Sequence, residues 1–294
     1  MGSILPKPNR ARRLRKNRAR PYVVQVTSPT PPLVLIFGPV DPTGADGLPA
    51  DAVTCAGLGC HGLAAVTALT VQDTAAMEEV QAISPELLDD QARCLLEDMP
   101  VQAIKVGGLY TAEAASAVAQ VAADYSHVPL VLHLGQRGPL PEDAAEQDEA
   151  DDLLAATLEL VLPQADVVVI EHARLAQWLA EGTVDIGDAP SPAHALLGAG
   201  AKWVLVLGSP LRPGHHANVL IGPEGTTSNW PWQAPPDRNG DTGGTLAAAL
   251  AAFLAHGMAV PQAVEQAQAH ADARIAASFL PGMGRRVVNR TFAR

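Results

Sequence analysis

Short, continuous apolar runs alternate along this chain with amphipathic helical patterns, and that alternation narrows the fold more than any other feature. LVLIFG (33–38), LAAVTALTV (63–71), AIKVGG (103–108), PLVLHL (129–134), DVVVI (166–170) and WVLVLG (203–208) are the apolar runs. A strand with one wet face alternates apolar and polar residues, whereas a strand buried on both faces reads as a continuous run. Between the runs, SPELLDDQARCLLEDM (84–99) offers Ser as a cap and Pro in the first turn, and TAEAASAVAQVAADY (111–125) opens on Thr with an acid just inside. The pattern predicts βαβ units, hence a doubly wound, mainly parallel central sheet with helices on both faces. Only 4% of the 294 residues are aromatic while 48% are hydrophobic, so the core must be built mostly of Ala, Val and Leu. Ligands of such sheets sit beyond the carboxyl ends of the strands. That directs attention to GPVDPTGADG after the first run, QDT after the second, GGLY after the third, and a glycine-rich loop in the 240s.

Charge is strongly segregated. Residues 6–21 hold eight of the twenty Lys and Arg residues and no acid, while the whole chain carries a net charge of −11. The expected organisation is a basic arm over 1–30 and a single α/β domain over 31–294. The arm reads either as a contact for nucleic acid or an acidic surface, or as a disordered tail or translation from an unused upstream start. The acidic body argues against nucleic acid as a partner. No apolar run reaches the ~20 residues a membrane span needs. Three cysteines, Cys55, Cys60 and Cys94, form no C-x-x-C pair, which points to reduced thiols and a cytoplasmic protein. The acidic stretch PEDAAEQDEADD (141–152) reads as a solvated loop and helix start.

Several motifs can be set aside. GLGCHG (57–62) matches a dinucleotide fingerprint in letters only, because it closes a helical stretch and leads into a strand, the reverse of the required order. His215 and His216 are adjacent, so they point apart on most backbones, and no third ligand is evident; they read as a solvated loop, and no metal set is assigned. Two stretches carry more. Asp41, Asp46 and Asp51 surround glycines 44 and 47 directly after a buried strand, either as turn and helix-cap residues or as acceptors for a polar ligand. Gln72, at the end of the next run, is either a loop residue or an amide offering a donor and an acceptor to a planar ring. RNGDTGGTLAAALAAFLAHG (238–257) is a glycine-rich turn entering an alanine-rich helix, where backbone N–H groups of Thr242, Gly243 and Gly244 could bind an anion. Asp241 is the one acid there, a candidate base or a helix cap.

The stretch GPVDPTGADGLPADAVTCAGLGCHGLAAVTALTVQDT resembles the start of the hydroxymethylpyrimidine and phosphomethylpyrimidine kinases of thiamine biosynthesis, members of the ribokinase-like fold. The similarity continues through AIKVGGL, LVLPQADVVVI, DTGGTLAAAL and PGMGRRVVNRTF, covering roughly residues 33–292. The resemblance implies ATP-dependent phosphorylation of 4-amino-5-hydroxymethyl-2-methylpyrimidine or its monophosphate, with Mg²⁺. It implies that Asp51 and Gln72, with Gly38 beside them, hold the aminopyrimidine, and that the 242–244 amides form an anion hole. It also marks departures: Gly244 stands where the family has its catalytic Cys, Asp241 where it has Gly, and Gly108 where a larger apolar residue is common. His133 stands for a strand Asp, Glu171 to Arg174 for the N-x-x-E that organises Mg²⁺, and Leu207 for a phosphate-binding Lys. Two functional expectations follow. One is a small-molecule kinase working through an altered catalytic set, with Asp241 as base. The other is a silent member that binds an aminopyrimidine as a sensor or partner subunit. A homodimer is compatible with the resemblance, since family members commonly dimerise.

Overall fold

The computed structural model describes residues 30–135, 144–238, 240 and 242–291. The expected arm, Thr30 apart, lies outside the described residues, as do Asp241 and positions 141–143 of the acidic stretch. The elements in chain order are β1 (Leu33–Val40), α1 (Gly47–Gly57), β2 (His61–Gln72), β3 (Met77–Ala82), α2 (Pro85–Asp98), β4 (Val101–Val106), α3 (Ala112–Asp124), β5 (Leu130–Leu134) and α4 (Ala144–Ala156). Then follow β6 (Val167–Glu171), α5 (His172–Glu181), α6 (Pro192–Gly198), β7 (Trp203–Arg212), β8 (His215–Ile221), β9 (Thr227–Pro231), α7 (Thr242–Ala255) and α8 (Val260–Ala276).

Among the described residues the strands form one nine-stranded sheet in the order β3-β2-β1-β4-β5-β6-β7-β8-β9. Strands β2, β1, β4, β5, β6 and β7 run parallel, and they are the six apolar runs. Successive residues of these strands enter opposite cores. Leu33, Leu35 and Phe37 pack with α2 and α3 on one face, while Val34 and Ile36 pack with α1, α7 and α8 on the other. Both faces being dry explains the missing polar alternation. The predicted caps hold: the Ser84 hydroxyl accepts from Leu87 N–H and the Thr111 hydroxyl from Ala114 N–H.

Two expectations need correction. His215 and His216 open β8 rather than lying in a loop, and the His216 ring packs edge-on against Trp232. The run at 63–71 is not buried throughout, because Leu69 and Val71 are exposed near the sheet edge, where the end of β2 pairs with the short antiparallel β3.

The turn after β1 shows why its sequence is D-P-T-G-A-D-G. Asp41 is buried, and its carboxylate accepts from Thr43 N (2.7 Å), Thr43 Oγ1 (2.8 Å) and Asp46 N (2.9 Å). Asp46 then caps α1, accepting from Gly47 N. Gly47 has φ +63°, and a Cβ there would sit 2.3 Å from the Pro39 carbonyl oxygen. Gly47→Ala is therefore expected to destabilise the protein by about 1–3 kcal/mol or more, seen as a lower urea midpoint with an unchanged slope.

Candidate active site

The chain winds outward from β1 in both directions, through β2 on one side and β4 on the other, which places a crevice at their carboxyl ends. Two cavities open there. The larger, about 740 Å³, is lined by Asp41, Asp46, Gln72, Glu171, Gly240 and Thr242, with Arg238 and Arg285 at its wall. The smaller, about 30 Å³, has room for little more than a water or two. It is lined by Gly38, Asp51, Lys105, Gly108, Tyr110 and His133 among others.

Asp51 and Gln72 therefore do not share a wall. Asp51, on α1, is buried in the smaller cavity with Gly38, whereas Gln72, at the end of β2, borders the larger one. Pro39, Asp46 and Tyr110 belong to both and form the partition. Tyr110 also explains how Gly108 is tolerated, because a Cβ at 108 would lie 3.3 Å from the Tyr110 hydroxyl oxygen. The aromatic ring fills the space that a longer side chain at 108 would use.

The residue that the sequence reading missed is Lys105. It sits mid-strand between Ile104 and Val106, which face the other core, and its Nζ donates to Asp51 Oδ2 in a buried ion pair. Its signal was a single cation inside an otherwise apolar run. Burial pushes the Asp51 carboxyl up from 3.8 to about 6, with Lys105 opposing and the neighbouring Asp46 charge adding to the rise.

The remaining candidates separate clearly. Thr242 opens α7 at the cavity wall, while Gly243 and Gly244 are buried in that helix's first turn. Leu207 is buried in the core beside α7. Of the stretch from Glu171 to Arg174, only Glu171 lines the cavity. His133 is buried on β5 at the smaller cavity. None of the three cysteines lines either cavity among the described residues; Cys55 and Cys60 are buried beneath α1, and Cys60 Sγ lies 3.4 Å from His256 Nε2.

Residues 41–289 match the model of a family described as phosphomethylpyrimidine kinase. The chain belongs to that family. A hydroxymethylpyrimidine/phosphomethylpyrimidine kinase of Streptomyces coelicolor is 32% identical over 222 residues, covering 74% of this chain and 77% of that protein. An ADP complex of Bacillus subtilis pyridoxal kinase superposes with a TM-score of 0.76 at 20% identity, over 89% of this chain and 98% of that one. A phosphomethylpyrimidine kinase from Clostridium difficile gives 0.68 at 20% identity, over 83% and 99%. These structural likenesses establish the ribokinase-like fold. The family is one of thiamine-biosynthesis kinases.

The ion pair makes two expectations. Lys105→Met strands a buried carboxylate and should cost about 3–5 kcal/mol near neutral pH, while adding Asp51→Asn should recover much of the loss in a urea double-mutant cycle. A raised acid pKa means the folded state holds the proton more tightly. The Asp51 contribution is thus complete below pH 3.8 and lost as pH rises through about 6. Asp51→Asn should flatten the stability profile across that window.

Proposed function

We propose that the protein transfers a phosphoryl group from ATP to a hydroxymethylpyrimidine or its monophosphate. The observation that carries this reading is the cavity of about 740 Å³ at the sheet's carboxyl end, which brings Gln72 and the start of α7 to one space. Gln72 can donate to a ring nitrogen and accept from an exocyclic amine. The N–H groups of the first turn of α7, aided by the helix dipole, face negative charge developing on a transferred phosphate. Asp241 immediately precedes that turn and is the candidate for accepting the hydroxymethyl proton.

Asp51, sealed beside Lys105, acts on the pyrimidine through the partition of Asp46 and Tyr110 rather than by an open contact. Its role in this reading is to set the charge and position of that wall. Magnesium fits as a companion of the nucleotide, since the ion takes one or two carboxylates together with phosphate oxygens and water. Glu171 lines the cavity and is the residue to hold it. Among the described residues no cluster of three or more His, Cys, Asp or Glu side chains could hold a metal alone. The ion would supply charge neutralisation of the phosphates.

The test incubates the purified protein with the hydroxymethylpyrimidine, ATP and Mg²⁺ and reads products by mass spectrometry. Multiple turnovers are expected. Gln72→Ala should raise the pyrimidine KM about tenfold, the effect of one lost polar contact. Asp241→Asn should eliminate turnover without weakening pyrimidine binding; surviving turnover would leave Asp241 a helix cap. A wild type that binds the pyrimidine in calorimetry but forms no product would make the protein a binding member of its family.

A further inference from the structure

Two arginines, Arg238 and Arg285, line the larger cavity, and they differ from Arg286 and Arg290, which follow in the chain. Arg286 and Arg290 are tied to the protein: Arg286 Nη1 donates to the Ser278 carbonyl (2.8 Å), and Arg290 Nη2 donates to Thr245 Oγ1 (2.8 Å) and the Ala45 carbonyl (3.0 Å). Arg238 and Arg285 instead have their side chains at the cavity wall. Arg238 makes one long contact, 3.5 Å from Nη1 to the Met283 carbonyl, and among the described residues no hydrogen bond or ion pair holds the Arg285 guanidinium.

Their backbones are nonetheless fixed. Arg286 N donates to the Arg238 carbonyl (2.7 Å) and Gly240 N to the Arg286 carbonyl (3.3 Å), so the segment carrying Arg285 is laced to the loop before α7. On its other side Arg285 N donates to the Thr74 carbonyl (2.6 Å), in the turn between β2 and β3. Gly284 allows that approach, since a Cβ there would sit 2.1 Å from the Thr74 oxygen. A bridge between Phe279 and Val287 closes the segment on itself. Main-chain bonds thus set the backbone of both arginines on the wall that also carries Gln72 and Thr242.

Among the described residues no ion pair joins either guanidinium to the four acids of the same wall, Asp41, Asp46, Asp73 and Glu171. Asp41 accepts from Thr43 and Asp46, and Asp73 accepts from Ala75 N and Ala76 N. Two guanidinium groups at the wall of a concave site, with no carboxylate partner among the described residues, are available to an incoming anion. The guanidinium fork matches phosphate oxygens.

We propose that Arg238 and Arg285 form a clamp for a phosphate group in this cavity, an inference that rests on the kinase reading above. The phosphate belongs either to the nucleotide or to a pyrimidine monophosphate, since both present the same chemistry. The clamp explains how the site neutralises phosphate charge although Leu207 is buried in the core.

Calorimetry on the full chain tests it, comparing wild type with Arg238→Asn, Arg285→Gln and the double variant. Asn is chosen at 238 because it tolerates the left-handed backbone there, φ +63°. The probes are ATP, adenosine and the monophosphate of the hydroxymethylpyrimidine. The double variant should bind at least one phosphate-bearing probe about 10- to 100-fold more weakly, with adenosine unchanged and the wild-type advantage shrinking as salt is raised. Loss confined to ATP assigns the clamp to the donor; loss confined to the monophosphate assigns it to the acceptor. Unchanged affinity for both phosphates, equal loss of adenosine, or a wild type that binds neither phosphate overturns the proposal. Should the Asn variant fail to fold, Arg285→Gln and Arg285→Glu decide alone. Binding is read without turnover, so arginine-dependent ATP affinity in a protein that phosphorylates no pyrimidine would reject the kinase reading and keep the clamp.

Discussion

Burial of both faces of the central sheet confines polar chemistry to the strand ends, and the one ionised exception shows how strictly the constraint operates. Lys105 projects from the middle of β4 into the layer of α1 and α7, where a lone ammonium would be costly to desolvate. It is tolerated because Asp51 on α1 meets it. The pair in turn fixes α1 against β4, beneath the turn of Asp41 to Asp46. That turn contributes to both cavities, so the position of their shared wall depends on the buried pair.

The helix α7 imposes a second condition. Twelve of its fourteen residues are buried, almost all Ala, Leu or Gly, so it can lie against the strands of the sheet as closely as small side chains permit. Its amino end is delivered to the cavity by this packing and by a polar contact at Thr245. Arg290, reaching from a distant segment to Thr245 and Ala45, links that end to the turn after β1. A site assembled this way depends on rigid elements for direction and on side chains at their tips for chemistry, which is the division of labour that lets one fold take several small alcohols.

Much of this was legible in the sequence, and the parts that were not have physical causes. The six parallel strands announced themselves because two-sided burial leaves nothing but Val, Leu, Ile and Ala to read. Strands β3, β8 and β9 pair antiparallel towards the edges and carry mixed residues such as Met77 to Ala82 or His215 to Ile221, so they resembled loops. The D-P-T-G turn could be recognised as a site, but not the fact that Asp41 spends its carboxylate on its own loop. Lys105 stood out only as a lone cation in an apolar run, and its pairing with Asp51 across 54 positions leaves no local mark. The wall of Tyr110 between Asp51 and Gln72 depends on the missing side chain of Gly108, a relation that only the assembled chain reveals.

The lacing of residues 284 to 287 onto Thr74 and onto the loop before α7 has a consequence for the order of biogenesis. One wall of the cavity joins positions more than two hundred residues apart, as in the bond from Gly284 N to Thr74 Oγ1. A nascent polypeptide can complete its sheet and dock its helices while this segment is still inside the ribosomal tunnel. During that interval it has a hydrophobic core but lacks one wall of the larger cavity. Ligand-assisted maturation through that wall is thereby restricted to the moments after position 290 emerges.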